Sequence, residues 1–329
     1  MTDIDTQYRI IDSSAGWHER TDRGRIRVEG ADRIAFLQAL LTNDLAALGP
    51  GQGVYSAYLT PQGRMIADLR LYDRANSVLA DVPAPGTAAL VAKLDALIFA
   101  EDVRVSDASI AVSAITVVGA RAAALVASAT GTVEKALADL PPLGAIDAPP
   151  FLLARADTST RPAFDVFVDV ESRSSAFELL NGVGIEPIGR DVVELLRIEA
   201  GRPAFGQDMD EHTIPLEAGL LDRAISLTKG CYVGQEVIVR VLHRGGGRVA
   251  RRLVTLSFDP ALEAPPAPGT MLQVDGRDAG RITSAAHSPR LGRVVALGYV
   301  SREDAEAGRE ASAVVDGRAW RAEVTGLAG

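Results

Sequence analysis

The most informative segment of the sequence is residues 228–252, which read TKGCYVGQEVIVRVLHRGGGRVARR. It contains the only cysteine of the chain, Cys231. Gly230 and Gly234 are four positions apart, a spacing that favours a tight turn and a close approach of the backbone to a ligand. Gln235 and Glu236 then fall in the predicted first turn of a helix, where an acidic residue is favourable.

Two interpretations of Cys231 are open. A thiol that precedes a helix N-terminus and neighbours Lys229 is expected to be more reactive than an ordinary cysteine. A lone cysteine is also commonly a small buried hydrophobic residue without chemical function. The flanking lysine and glycines favour the functional interpretation, with Cys231 and Lys229 as the candidate catalytic residues.

The same stretch carries a concentrated positive patch. Guanidinium groups bind carboxylates and phosphates through paired hydrogen bonds, so the patch suits an anionic ligand. The alternative is a solvated charged segment that pairs with acids of the same chain. The patch comprises Arg240, Arg244, Arg248, Arg251 and Arg252.

Composition limits the class of protein. The chain has 329 residues, a formal net charge of −9 and a pI of about 5.1, which argues against general binding to nucleic acid or to an anionic membrane. With one cysteine, an intrachain disulfide is impossible, and with four scattered histidines we expect no zinc site. The N-terminus lacks the features of a signal peptide, so we expect a cytoplasmic protein.

The rest of the chain predicts alternating strands and helices. Two strands, VYSAYLT and MIADLRLY, are joined by a turn at 61–63, and helices are predicted at 30–41, 87–99 and 191–200. The mostly apolar residues 109–129 divide at Gly119 into a strand and a helix, and PPLGAIDAPP (141–150) is predicted to be a loop. From about residue 253, short strands separated by turns predict a small β-barrel or sandwich.

KGCYVGQE resembles the signature of the YgfZ-type folate-binding proteins, relatives of the T-protein aminomethyltransferase of glycine cleavage. The resemblance extends over roughly residues 25–325. It includes GADRIAFLQALLTNDLAAL (30–48), YLTPQGRMIADLRLY (58–72), RIEAGRPAFGQDMDEHTIPLEAGLLDRAISLTKGCYVGQEV (197–237) and PGTMLQVDGRDAGRITSAAHSPRLGRVVALGYV (268–300).

The resemblance implies an α+β fold: a ring of three subdomains, two of them ferredoxin-like and the third a C-terminal β-barrel. We therefore expect a folate-binding region over 1–250 and a barrel domain over 251–329. The resemblance also implies tetrahydrofolate as the ligand, with its anionic glutamate tail on the arginine patch. The expected cofactor-binding residues are Asp68, Glu199, Tyr232, Gln235, Arg240, Arg244 and Arg252.

In function, the resemblance implies an accessory role in assembly or repair of iron–sulfur enzymes, including a radical enzyme that modifies tRNA, with Cys231 as the key residue. Expected partners are iron–sulfur enzymes or cluster-assembly proteins, without direct nucleic-acid or membrane binding. The alternative is a folate-dependent aminomethyltransferase, with Asp68 at the reacting nitrogen. Asp68 lacks the paired-aspartate context of that enzyme, and the T-protein lacks the KGCYxGQE cysteine, so we expect no turnover.

A cleft for the pterin and aminobenzoate rings requires apolar, aromatic walls. Tyr55, Tyr58, Tyr72 and Tyr232 are candidates for such walls. Packing in the core is the alternative for all of them except Tyr232, which lies in the motif.

Overall fold

The computed structural model describes residues 3–243 and 246–329. Its helices are short, and several follow directly on a strand and a glycine-containing turn. They are α1 (Ile4–Ser13), α2 (Arg33–Leu40), α3 (Thr87–Asp95), α4 (Ala122–Thr130), α5 (Glu134–Ala138), α6 (Arg173–Gly182), α7 (Arg190–Glu199), α8 (Leu221–Ala224) and α9 (Gln235–His243).

The strands belong to three sheets. In chain order they are β1 (Gly16–Glu19), β2 (Arg23–Glu29), β3 (Gly53–Leu59), β4 (Met65–Asp73), β5 (Ser77–Pro83), β6 (Arg104–Asp107), β7 (Val112–Val118), β8 (Ala145–Ala148), β9 (Phe151–Arg155), β10 (Ala163–Asp169), β11 (Glu186–Pro187), β12 (Arg251–Phe258), β13 (Met271–Val274), β14 (Arg277–Ser288), β15 (Arg293–Ser301), β16 (Glu310–Val315) and β17 (Arg318–Leu327).

The chain divides into two compact units. The first contains residues up to Tyr58, Ala67–Val193 and Ala224–Val233. The second contains Leu59–Ile66, Glu194–Arg223 and Gly234–Gly329. Residues from distant parts of the sequence thus fold together in each unit.

Two sheets form most of the first unit. One has the strand order β3-β4-β5-β2-β6, and the other β11-β1-β7-β10-β9-β8. An apolar cluster joins their facing strands: Tyr72 and Leu79 of the first sheet pack with Leu152 and Phe167 of the second, all at most 2% exposed. The helices α4 and α6 cover the six-stranded sheet with a second apolar cluster that includes Val126 and Leu180. These layers bury both faces of that sheet.

The second unit contains a closed six-stranded barrel, in the order β12-β15-β14-β13-β16-β17. Buried and more exposed residues alternate along β13 and in parts of β12 and β17, as in a small filled barrel, whereas β15 is buried throughout residues 294–300. Val254, Leu256 and Phe258 of β12 point into the core with Ile282 and Val324 from other strands. The two sheets with their helices and the C-terminal barrel confirm the predicted α+β fold class.

Most predicted elements are present, with two corrections. The predicted loop at 141–150 contains β8, which pairs antiparallel with β9 along Ala145–Ala148. The helix predicted at 87–99 ends at Asp95, because the amides of Leu97 and Ile98 donate to carbonyls three residues back rather than four. The sequence pattern did not predict α1, α5, α8, β1, β9 or β17.

Candidate functional site

Lys229 is fixed by the backbone that ends α2. Its Nζ donates hydrogen bonds to the carbonyl oxygens of Gln38 (2.6 Å), Leu41 (2.6 Å) and Asn43 (3.0 Å). Burial lowers the pKa of Lys229 to about 8, while Asp44 opposes that shift, so the amine is still an ammonium at neutral pH. An ammonium has three hydrogens, and here each has a carbonyl acceptor. This geometry supports a structural role, and the catalytic role of Lys229 stays a prediction.

Cys231 and Tyr232 occupy opposite environments. Cys231 is exposed, so the interpretation as a buried hydrophobic residue is wrong. Tyr232 is 7% exposed, and its ring centroid lies 5.3 Å from the Lys229 ammonium, a cation–π contact. Burial also raises the pKa of Tyr232 to about 12, so its hydroxyl stays protonated.

The two motif glycines have different roles. Gly234 has φ +83°, and a Cβ there would lie 2.5 Å from the carbonyl oxygen of Thr60, in the β3–β4 turn. The close approach that requires glycine is therefore to the protein's own backbone. A Cβ at Gly230 would meet nothing within 4 Å. Gln235 is half-buried and begins α9, which confirms the predicted helix start.

The arginine patch is divided between internal contacts and the surface. Arg251 forms an ion pair with Glu217 (3.1 Å), and its guanidinium carbon lies 4.5 Å from the centroid of the Tyr299 ring. Arg252 donates a hydrogen bond to the Gly247 carbonyl oxygen (3.4 Å). Arg240 is exposed on α9, in its last turn. Arg248 is also exposed, whereas Arg244 lies outside the described residues.

Asp68 is buried and paired. Its side chain is 3% exposed, Arg23 Nη1 donates to Oδ1 at 2.8 Å, and the Tyr55 hydroxyl donates to Oδ2 at 3.1 Å. The carbonyl oxygen of Tyr55 accepts from Asn43 Nδ2, and the carbonyl oxygen of Asn43 is one of the three that hold Lys229. A short chain of contacts thus links Asp68 to the motif, although no direct contact between them is described.

Asp68 belongs to a buried ionic cluster on the facing strands of the two sheets. We use that name for Arg20, Arg23, Arg70, Asp68, Asp81 and Asp165.

Asp81 is the centre of this cluster. It is fully buried, and the guanidinium groups of Arg23 and Arg70 each approach its Oδ2 to 3.1 Å, with Arg20 at 3.6 Å. Burial alone would raise the pKa of Asp81, but its three cationic neighbours outweigh that effect and lower the pKa to about 2. Sequence reasoning missed Asp81, although it lies inside the apolar strand SVLADV as Asp68 lies inside MIADLRLY.

Glu199 is fixed at the end of α7. Its side chain is fully buried, Ser288 Oγ donates to Oε1 at 2.5 Å, and Arg290 lies 3.8 Å from Oε2. Two residues earlier, Arg197 binds Asp208 Oδ2 (2.6 Å) and Ser284 Oγ (2.8 Å). The arginine and glutamate of the R-x-E-x-G pattern are therefore both anchored within the second unit.

A cavity of about 420 Å³ opens in the first unit, with Arg20, Arg23 and Arg25 in its wall. These arginines already donate to acceptors of the same chain. Arg25, for example, donates to the carbonyl oxygens of Val112 and Ser109, and Arg23 to Asp68 and Asp81. The positive wall is thus largely satisfied internally.

Two kinds of feature are absent from the described residues. Within 3–243 and 246–329, no helix combines the length and apolar character needed to cross a membrane. Over the same ranges, no three His, Cys, Asp or Glu side chains group together so that they could hold a metal ion.

Two models of known protein families match most of this chain. The family model for the GCVT N-terminal domain matches residues 2–229, and the model for the glycine cleavage T-protein C-terminal barrel domain matches residues 251–328. The chain therefore belongs to the glycine cleavage T-protein (GCVT) family.

Individual relatives agree with this assignment. An aminomethyltransferase of Nostoc sp. is 30% identical over 98% of this chain and 86% of its own length. An aminomethyltransferase of Geobacillus kaustophilus is 27% identical over 98% of this chain and 89% of its own length. The crystal structure of the glycine cleavage system aminomethyltransferase T from Bartonella henselae superposes with a TM-score of 0.88, at 24% identity over 98% of this chain and 88% of that one, which shows the fold.

Proposed function

We propose that this protein binds tetrahydrofolate and acts as a YgfZ-type accessory protein for the assembly or repair of iron–sulfur enzymes, without aminomethyl transfer. The observation that carries the proposal is the contrast between Asp68 and Cys231. The candidate transferase carboxylate is buried and ion-paired with Arg23, whereas the motif thiol is exposed.

The state of Asp68 argues against acid–base catalysis there. A general base must reach the proton that it removes. Asp68 is 2% exposed, and Arg23 and Tyr55 each donate to one of its oxygens. If Asp68 were freed to act as a base, the buried Arg23 guanidinium would lose this ion pair. Breaking a buried ion pair costs free energy of folding.

Folate binding is supported by the family and by the surface of α9. Tetrahydrofolate carries a glutamate tail, and Arg240 presents an exposed guanidinium that suits a carboxylate. We propose Arg240, Arg244 and Arg252 for the tail, and Tyr232 and Gln235 for the remainder of the ligand. Asp68 and Glu199, which the resemblance also assigns to the folate, are held by internal partners, and their contact with the ligand stays a prediction. When bound, the folate would supply a one-carbon carrier, and the residues of this chain would bind and orient it.

Calorimetry tests folate binding. We expect reduced folate to bind with a dissociation constant in the micromolar range, about −8 kcal/mol. Replacing Arg240 by Gln should weaken binding by about 1.5–3 kcal/mol if its bonds to the tail are lost, while Arg104→Gln, at another exposed arginine, should not. A folate analogue without the glutamate tail should bind wild type and Arg240→Gln equally. No heat and no thermal shift with excess tetrahydrofolate would remove folate from the proposal.

The iron–sulfur role is tested in a deletion strain rescued by wild type or by Cys231→Ala. We expect wild type to restore the activity of an iron–sulfur enzyme and the variant to fail, at equal protein level. Full rescue by the variant would reject the proposed role of the thiol.

Aminomethyl transfer is the second candidate, and the names of the relatives favour it. A turnover assay with aminomethyl-lipoyl protein and tetrahydrofolate decides between the two functions. Measurable transfer that depends on Asp68 would establish the transferase in place of the accessory protein.

A further inference from the structure

The segment that carries Cys231 is attached to the end of α2 through two residues, Ser226 and Lys229, which are also hydrogen-bonded to each other. The amide of Ser226 donates to the Thr42 carbonyl oxygen at 3.0 Å. Ser226 Oγ in turn accepts from the amide of Lys229 (3.2 Å). The Lys229 ammonium then reaches three carbonyl oxygens of residues 38–43. All these residues belong to the first unit.

The acceptors explain why a lysine is required here. The last carbonyls of a helix lack partners within the helix, and a cation near that end is favourable. Gln38 lies in the last turn of α2, and Leu41 and Asn43 follow directly after it. Three oxygens converge on one nitrogen, a geometry that suits a compact ammonium and does not suit the planar guanidinium of arginine.

The residues of the turn differ in exposure. Lys229 is half-buried and Tyr232 is buried, with its ring against the ammonium, whereas Gly230 and Cys231 are exposed. A Cβ at Gly230 would meet open space, so the backbone on that side is not packed. Lys229 and Tyr232 therefore hold the turn from the two sides of the exposed pair.

We propose that Lys229 is a positioning residue for Cys231: its ammonium fixes the motif turn, residues 228–232, to the end of α2 and keeps the thiol at the surface in one orientation. The biological use of that thiol rests on the proposed function, but the positioning itself does not. It can be measured on the purified protein without folate or any partner.

Cys231 is the only cysteine, so a nitroxide spin label attached through it reports on this turn alone. We expect a restricted spectrum in wild type and a spectrum of a mobile label in Lys229→Met. Lys229→Arg keeps the charge but not the three bonds, so it should resemble Lys229→Met. Lys93→Met is the matched control, because Lys93 is exposed on α3. Its label should stay restricted.

Amide hydrogen exchange gives a second measurement. Exchange of residues 228–232 should be at least tenfold faster in Lys229→Met than in wild type, with no change in the strands of the barrel. Equal label mobility and equal exchange in wild type and a folded Lys229→Met would overturn the proposal. If that variant does not fold, the wild type still decides, since a mobile label there would also overturn it.

The two proposals fail in distinguishable ways. A Cys231→Ala variant that rescues the deletion strain would reject the iron–sulfur role and leave the spin-label result intact. A mobile label in wild type would reject the positioning by Lys229 and leave folate binding and rescue untouched.

Discussion

Two regions of the first unit, the buried ionic cluster and the motif turn, differ in how their charged groups are paired. The buried ionic cluster places Asp68 and Asp81 among guanidinium groups, and Arg23 pairs with both carboxylates. The motif turn instead buries one cation on backbone carbonyls and leaves Cys231 at the surface. A polar side chain inside an apolar strand can thus serve only to pair with neighbouring charges, whereas a side chain on a turn anchored by a buried cation can remain accessible.

Removal of the central carboxylate tests the cluster most severely. Asp81→Asn takes away the charge that three arginines share, and breaking a buried ion pair in this way costs about 3–5 kcal/mol. Urea unfolding followed by circular dichroism measures the loss. Asp95→Asn, at an exposed aspartate that ends α3, is the control and should change stability by less than about 0.5 kcal/mol. A small loss for Asp81→Asn would mean that the cluster is solvated.

Acid should weaken the same cluster in a defined window. The pKa of Asp81 is about 2 in the fold against an ordinary value of 3.8, so the unfolded chain binds the proton first as pH falls. Its stabilisation, about 2 kcal/mol, is complete above pH 4 and is lost as pH falls towards 2. Urea midpoints for wild type and Asp81→Asn between pH 5 and 2.5 isolate this contribution. Parallel curves for the two proteins would contradict the assignment.

The hydroxyl on Asp68 contributes less. Tyr55→Phe removes the 3.1 Å hydrogen bond to Oδ2 and leaves the ion pair with Arg23, so we expect a loss of about 1–2 kcal/mol. Tyr58→Phe is matched in chemistry and lies on the same strand, and no hydrogen bond of its hydroxyl is described. It should cost less than about 0.5 kcal/mol. Equal losses would remove the special role of the Tyr55 hydroxyl.

The smallest effect on stability is expected in the motif turn. Cys231→Ala changes an exposed side chain, so its melting temperature and folate affinity should match those of wild type, within about 0.5 kcal/mol. A differential scanning calorimetry trace and a folate titration measure both. A large destabilisation would show that the thiol packs against the protein and would reverse the contrast with Asp68.

Local patterns were sufficient for much of the fold. The Pro-Gln-Gly turn at 61–63 predicts the β3–β4 hairpin, and Gly63 has φ +72°. The apolar face of DVVELLRIEA predicts α7. In contrast, β8 follows Pro141 and Pro142 and precedes Pro149, and these residues indicate a loop. Its strand conformation depends on pairing with β9, which the local sequence does not encode.

The candidate site shows the same limit. The motif letters identified Lys229 and Cys231, but the partners of Lys229 are backbone carbonyls of residues 38–43, which carry no side-chain signature. The pairing of Asp68 with Arg23 requires the register of three neighbouring strands. Spacing along the chain therefore finds which residues matter and leaves their partners undetermined.

Closure of the barrel has a consequence for association between chains. Each of the strands β12–β17 has a hydrogen-bonded neighbour on both sides, so the barrel offers no open strand edge. An open edge is a template on which another chain can add a strand, and proteins protect such edges to avoid aggregation. In the six-stranded sheet, β8 and β11 are terminal, and β11 is only two residues long. In the five-stranded sheet, β3 and β6 are the terminal strands. Any strand addition in a partly unfolded state is therefore expected to begin at an edge of one of these two sheets rather than in the barrel.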